Sequence, residues 1–520
     1  MECNKVFSGD CPEITTFIVK YLRNDLNSLY SCALVNRLFC KITIPLLWED
    51  PFLVANRGEY SRSLLDTYFL FFDERDRIRL EELNISIRTS SFSKPFFNYP
   101  EYIKSIDGSK LLWHLDKWKD EHYKITRPSY SNIAKSTFLL ENDNIIIYLH
   151  DNLLESTETK QSVGICRILI ELFIKYNVSL NNLRMTVAFF YSMQGIFLDN
   201  LHFISDIESL HIDFFTGLNN DLPLSPLYST IMNLKTLKLE SIEACIAFNV
   251  LRRFNRCYNS LTSIEFNNCK FNESISYNGF DQLTQLQSFH LNYCEGLTEK
   301  IFEALQDIPV LSNIRTLSVR GKIITGLDLL IQRIGTNLEH VHLELNGFVE
   351  RGKVFESVAN YCDKIKYFYF NCFNDRNMKR IHKIIINNRN HLKYLSFYNT
   401  NARSRANSEI LQELGQILPD SIDYLNFGLF IDPNDLNIFL QSVKNIQIKK
   451  LLVTNFSKEI VSIFNILKEF VTENNIKDFS YQVSDIFRPE SVNHQNLENE
   501  IRIFAKMKFF NDIVVNITDF

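Results

Sequence analysis

Three short stretches of this chain carry residue types that could do chemistry. Residues 347–354 read GFVERGKV, one side chain short of the phosphate-cradling pattern G-x-x-x-x-G-K-[ST]. In that pattern glycine backbone N–H groups and the lysine surround the phosphates, and the closing hydroxyl ligates Mg²⁺. Val354 stands where the hydroxyl is needed and cannot supply it. His340, His342 and Glu344 alternate, so on a strand they project from one face, as metal ligands would. The matching positions on the neighbouring segments are Thr316, Ser318 and Arg320 on one side and Tyr367, Tyr369 and Asn371 on the other. These add no further strong ligand, and Arg320 can pair with Glu344, so a polar recognition surface is expected rather than a metal site. The run RNMKRIHKIIINNRNHLK from residue 376 is basic enough to meet phosphate or an acidic partner. Its plainer reading is the solvated face of a helix with Ile381, Ile384 and Ile385 turned inward. The chain contains no G-x-S-x-G elbow, no H-E-x-x-H pair and no G-x-G-x-x-G loop. A protein that is not an enzyme and needs no cofactor or metal is expected.

The elements that must position these residues follow from a repeat. From residue 207 the pattern L-x-x-L-x-L returns as Ile207/Leu210/Ile212, Leu234/Leu237/Leu239, Leu261/Ile264/Phe266 and onward to Ile476/Phe479/Tyr481. Its middle anchors fall at 210, 237, 264, 289, 317, 341, 368, 395, 425, 451 and 479, at intervals of 24 to 30 residues. That period and pattern are those of the leucine-rich repeat, in which a short strand is followed by a helix and neither buries its apolar face without neighbours. Segments such as LTEKIFEALQDI, VFESVANYC, SEILQELGQIL and KEIVSIFNILKEF supply helices, with apolar residues at spacings of three and four. Cys269, Cys294 and Asn346 stand three residues past the last anchor, where the repeat uses Cys or Asn to bond the turning backbone. The fold class is therefore α/β: a curved leucine-rich-repeat solenoid over 201–485, with parallel strands on its concave face and helices outside. Residues 53–200 read as a helical and irregular lead-in, with loops near 89–100 and 156–162, a helix from 162 (SVGICRILIELFIKYN) and a degenerate first strand over Leu183–Ala188. Residues 486–520 read as a C-terminal cap, which a solenoid needs because its last repeat would otherwise expose core.

Composition narrows the function classes. A hydrophobic content of 45% with only 15 Gly and 12 Pro implies a mostly ordered chain. The net charge of −5 argues against a generally nucleic-acid-binding or membrane-bound surface. The amino terminus lacks a signal peptide's basic and apolar regions, and no window reaches the ~20 apolar residues of a membrane span. Eleven cysteines without CxxC pairs read as buried thiols of a reducing compartment. An intracellular protein, cytoplasmic or nuclear, is expected.

Residues 11–52 read CPEITTFIVKYLRNDLNSLYSCALVNRLFCKITIPLLWEDPF. This stretch resembles the F-box motif: Pro12-Glu13-Ile14 matches its opening, Ile18 and Leu22 its first helix, Leu26 and Leu29 its second, Val35-Asn36-Arg37 its third segment and Trp48 its closing aromatic. Cys11 replaces the usual Leu, and Phe39 stands near a usual Trp. A segment of ~40 residues is too small to bury its own apolar surface, so much of that surface should lie against something else. With the repeats, the chain resembles a fungal-type F-box/leucine-rich-repeat protein.

The resemblance implies a small all-helical F-box over 11–52 that docks on the Skp adaptor, and through it on the cullin, of an SCF-type ubiquitin ligase. Pro12, Glu13, Ile14, Ile18, Leu22, Leu26, Leu29, Val35 and Trp48 would make that contact. The repeats would hold a target protein for ubiquitination, and the chain itself would be non-catalytic. A scaffold without a ligase role is the alternative, and a helical cap packing its Leu and Trp inward is the plainer reading of 11–52. Side chains between buried anchors should face the concave side. There His340, Tyr367, Tyr394 and Tyr424 form a lateral row flanked by His342, Tyr369 and Tyr398, the expected target-binding surface. Rings on such a surface are expected to be removable without loss of stability.

Overall fold

The computed structural model describes residues 12–483 except 24, 55–58, 88–94, 127–156, 215–223, 272–281, 307–310, 312, 323–324, 347–350, 372, 402–404 and 477. The expected cap over 486–520 lies outside the described residues. The chain divides into two units, Met1–Glu240 with Arg253–Ser260, and Ser241–Arg252 with Leu261–Phe520.

The first unit begins all-helical, with α1 (Pro12–Lys20), α2 (Leu26–Ala33), α3 (Arg37–Leu47), α4 (Pro51–Val54), α5 (Glu59–Phe69) and α6 (Glu74–Glu82). Asp25 and Asn36 mark the starts of α2 and α3 by accepting the backbone N–H groups of Ser28 and Phe39 at 3.1 and 2.9 Å. Strand and helix then alternate: β1 (Ser105–Asp107), α7 (Gly108–Thr126), α8 (Thr157–Lys175), β2 (Asn182–Thr186), α9 (Val187–Asp199), β3 (Ser209–Asp213), α10 (Ser225–Thr230) and β4 (Thr236–Glu240). β1 to β4 pair in sequence order, all parallel. The strands thus start upstream of residue 201: β2 falls on the degenerate strand expected from Leu183, and β1 stands before it without an expected counterpart. Residues 157–162, expected to form a loop, instead open α8, because Ile165, Leu169 and Phe173 further along it are buried and draw the whole helix onto the core.

The second unit holds α11 (Ala244–Arg253), β5 (Ser263–Asn267), β6 (Ser288–Asn292), α12 (Glu299–Gln306), β7 (Thr316–Lys322), α13 (Leu327–Ile334), β8 (His340–Asn346), α14 (Arg351–Tyr361), β9 (Tyr367–Asn371), α15 (Asp375–Asn387), β10 (Tyr394–Tyr398), α16 (Ala406–Ile417), β11 (Tyr424–Leu429), α17 (Pro433–Ser442), β12 (Lys450–Asn455), α18 (Ile460–Glu473) and β13 (Asp478–Val483). β5 to β13 again pair in order and in parallel, each middle anchor opposite the next: Leu317, Val341, Phe368, Leu395, Leu425, Leu451 and Phe479. Consecutive helices pack side by side. The anchors are buried between strands and helices, and Phe370, Phe397 and Phe427 stack at successive centroid distances of 5.6 Å. Each such ring contributes roughly 1.5 to 3 kcal/mol by leaving water, which a single repeat could not secure alone.

Two backbone devices hold the spacing. The residue before a strand offers its carbonyl to two N–H groups of the following repeat, as Glu339 does to Lys366 and Tyr367 at 2.7 and 3.1 Å. Past the strands, Cys269 Sγ donates to Asn267 O, and Cys294 Sγ to Phe266 O, each at 3.3 Å, where the pattern placed a turn-bonding residue. Asn268 and Tyr293 take positive φ at these exits, 49° and 53°. The side chain of Asn346 lies outside the described residues.

Candidate functional site

In the helical amino-terminal region, Val19, Leu29 and Phe39 form a small core, with Leu22, Leu26, Cys32, Ile42, Leu46 and Leu47 packed partly buried around it. Helix α1 turns Thr15 and Val19 inward. Its positions 14, 17, 18 and 21, spaced by helical turns, form a second apolar stripe: Ile14, Phe17, Ile18 and Tyr21 are all exposed. Tyr30 on α2, and Leu34 and Val35 in the turn after it, are exposed as well. Tyr21, Leu34 and Val35 keep 76%, 72% and 62% of their surface, so none of them serves the core. Phe17 and Tyr21 meet edge to face at 5.1 Å.

The residues expected to face an adaptor therefore separate. Pro12, Glu13, Ile14, Ile18 and Val35 are exposed, and Leu22 and Leu26 are half-buried. Leu29 is fully buried and belongs to the core, so it presents nothing to a partner. Trp48 also points inward: its ring lies 4.0 Å from that of Tyr99 and 5.4 Å from that of Tyr68. Phe17, Tyr21, Tyr30 and Leu34 join the exposed set without having been expected there. The signal for the α1 pair was present, since 14, 17, 18 and 21 repeat at helical spacing on the side opposite 15 and 19.

The same region is also tied to the first strand. Glu49 O accepts Lys104 N and Ser105 N at 2.9 and 3.0 Å, the same paired bond that opens β2 to β4 and β6 to β12. Ser105 Oγ donates to Asp50 at 2.7 Å, His114 Nε2 meets Phe52 O at 3.1 Å, and Arg23 forks onto Glu49 at 2.5 and 2.6 Å. Burial holds the His114 imidazole below its ordinary pKa, which keeps it neutral at this joint.

On the strands of the second unit, His340, Tyr367, Tyr394 and Tyr424 stand in one lateral register, as the pattern required. Tyr367 lies 6.4 Å from Tyr394, and Tyr394 5.8 Å from Tyr424. One step along, His342 stacks on Tyr369 at 3.9 Å and 4°, and Tyr369 lies 5.9 Å from Tyr398. The row is nonetheless largely covered. Tyr367, Tyr424 and His342 keep only 3%, 2% and 6% of their surface, which leaves His340, Tyr369, Tyr394 and Tyr398 as the half-buried, reachable members. Strands ~4.8 Å apart set large rings close enough to cover one another, and Leu452 packs with Tyr424 and Tyr394.

His342 accepts a hydrogen bond from Arg320 Nε at 3.3 Å, and Glu344 lies 3.9 Å from both. Burial pulls its pKa down to about 4, so the ring is neutral at pH 7. His340 Nδ1 meets Thr316 Oγ1 at 3.2 Å. These contacts engage both rings in strand-to-strand bonding, and among the described residues no group of three ligands is placed to hold a metal ion. Tyr398 Oη donates to Asn426 at 2.9 Å, and burial raises its pKa to about 12.

Of the near phosphate loop, residues 347–350 lie outside the described residues, Arg351 and Val354 are buried in α14, and Lys353 is exposed. The basic run divides. On α15, Met378, Ile381, Ile384 and Ile385 are buried, Arg380 reaches Glu356 at 3.0 Å, Lys383 donates to Asn360 at 2.8 Å and His382 meets Glu413 at 2.9 Å.

The chain matches no known family model and no curated protein. Among the described residues, no helix is long and apolar enough to cross a membrane.

Proposed function

We propose that this protein is the non-catalytic substrate-recognition subunit of an SCF-type cullin–RING ubiquitin ligase. In this reading the amino-terminal helices are an F-box that docks on the Skp adaptor. The strand–helix array is a leucine-rich-repeat solenoid, curved with its strands on the concave side, that holds a target protein. The observation that carries the reading is the set of large apolar side chains Ile14, Phe17, Ile18, Tyr21, Tyr30, Leu34 and Val35, left exposed on helices that already possess a core. So many exposed apolar side chains on so short a segment mark an interaction site. The mechanism is proximity: a target lysine held near an activated thioester reacts as though intramolecularly, and other subunits perform the transfer. Such a subunit works inside the cell, in cytoplasm or nucleus, and needs no cofactor.

The test is co-purification of the full-length chain with recombinant Skp adaptor and cullin, beside a Tyr21→Ala/Leu34→Ala variant. Capture of both partners by the wild type and neither by the variant is expected. Absence of adaptor binding by well-folded wild type rejects the F-box. A second reading, a repeat scaffold whose helical start is chiefly a cap, is favoured by the inward Trp48 and by the Glu49 carbonyl that opens the strand ladder. It predicts adaptor binding without cullin, or neither.

A further inference from the structure

The basic run leaves an unspent half. Beyond α15, Arg389, His391 and Lys393 stand exposed in the turn leading to β10, beside exposed Lys364 and Lys366 in the turn leading to β9. These two adjacent turns carry Lys364, Lys366, Arg389 and Lys393 against one carboxylate, Asp363. Lys366 is taken by Glu339 at 2.6 Å, while Lys364, Arg389 and Lys393 form no ion pair with any described residue. The cluster is bounded. On one side Glu339 also holds Arg315 at 3.5 Å, and on the other Asp423 holds Lys449 at 2.6 Å. Adjacent parallel strands place the two turns ~5 Å apart, so the three uncommitted cations fall within the span of a few peptide residues. Just inside this edge lies Tyr394, the half-buried ring between Tyr367 and Tyr424.

We propose that the edge where β9 and β10 begin binds a short acidic peptide segment, its carboxylates on Lys364, Arg389 and Lys393 and an aromatic side chain on Tyr394. The three uncommitted cations match two or three acidic residues, and the half-buried ring of Tyr394 beside them offers an edge to an aromatic side chain of the same peptide. This inference rests on the reading of the protein as a target receptor and names the chemistry of the target.

The experiment uses the full-length chain and a fluorescein-labelled Glu-Glu-Tyr-Glu-Glu peptide, read by anisotropy, with Gln-Gln-Tyr-Gln-Gln and an oligothymidylate as comparisons. Binding of the acidic peptide that weakens with salt, and falls roughly tenfold or more in Arg389→Glu/Lys393→Glu, is the expected result, with adaptor capture and Tm unchanged. No preference for the acidic over the neutral peptide overturns the proposal while leaving the adaptor reading intact. Equal or tighter binding of the oligonucleotide, lost in the same variant, overturns it in favour of a nucleic-acid surface. Should the charge-reversed variant lose Tm, Arg389→Gln/Lys393→Gln must still weaken the peptide at least about threefold, or the proposal fails.

Discussion

The amino-terminal helices and the aromatic row of β8 to β11 are both rich in large apolar and aromatic side chains, yet they use them in opposite ways. In the helical region, seven such side chains remain exposed after Val19, Leu29 and Phe39 have closed the core. In the strand row, rings that alternate away from the core are buried again by their lateral neighbours, so that Tyr367 and Tyr424 are covered as fully as core residues. Helices of eight or nine residues meet at a few positions and leave the outer stripe uncovered. Strands in register set Tyr367, Tyr394 and Tyr424 side by side, so that each ring covers part of the next. An aromatic residue on an outward position is thus free on the helices and structural on the sheet.

The sharpest test of this contrast is Tyr21→Ala/Leu34→Ala. Removing two exposed anchors is expected to weaken the proposed adaptor binding by about 4 kcal/mol, read by calorimetry, with no change in Tm. A matching fall in Tm would show that the outer stripe packs on something within the chain. Leu29→Ala should do the reverse, costing about 3 kcal/mol of stability in urea titration, because it leaves a cavity where Val19 and Phe39 met it. Trp48→Ala belongs with Leu29 and should likewise lower stability by roughly 3 kcal/mol through its lost contacts with Tyr99 and Tyr68.

On the sheet, Tyr367→Ala is expected to cost about 3 kcal/mol, and Tyr394→Ala only about 1, because the first ring is enclosed and the second half-exposed. This reverses the expectation that both could be removed from a recognition surface without structural cost. Equal and negligible losses would restore it. A further effect comes from protonation. His342 titrates near 4 in the folded chain, below the unfolded value of about 6.5, so the unfolded state binds the extra proton first. Its contribution to stability is complete above pH 6.5 and is lost as the pH falls toward 4, amounting to about 2 kcal/mol between pH 7 and 5. Chemical denaturation at these two pH values should show a smaller difference in His342→Gln than in the wild type.

The sequence by itself determined the repeat. The period of the L-x-x-L-x-L anchors placed nine strands of the second unit in parallel register and assigned Leu317, Phe368, Leu395 and Leu425 to the core, because alternation along a strand leaves one choice of buried face. It also put His340, Tyr367, Tyr394 and Tyr424 in one row, and Ile381, Ile384 and Ile385 on the inner side of a helix. Upstream, β1 has three residues and no repeat signature, so its place beside β2 was not legible; pairing partners and the Glu49 carbonyl define it. The tertiary structure alone decided which of two apolar faces on α1 is covered, that Leu29 and Trp48 turn inward while Phe17, Tyr21 and Leu34 do not, and that half of the tyrosine row is out of reach. It also decided which cations of the basic run are neutralised across neighbouring helices and which, at Arg389 and Lys393, are left over. Periodicity specifies which side chains share a face, whereas accessibility and charge pairing depend on residues remote in sequence that the fold sets against that face.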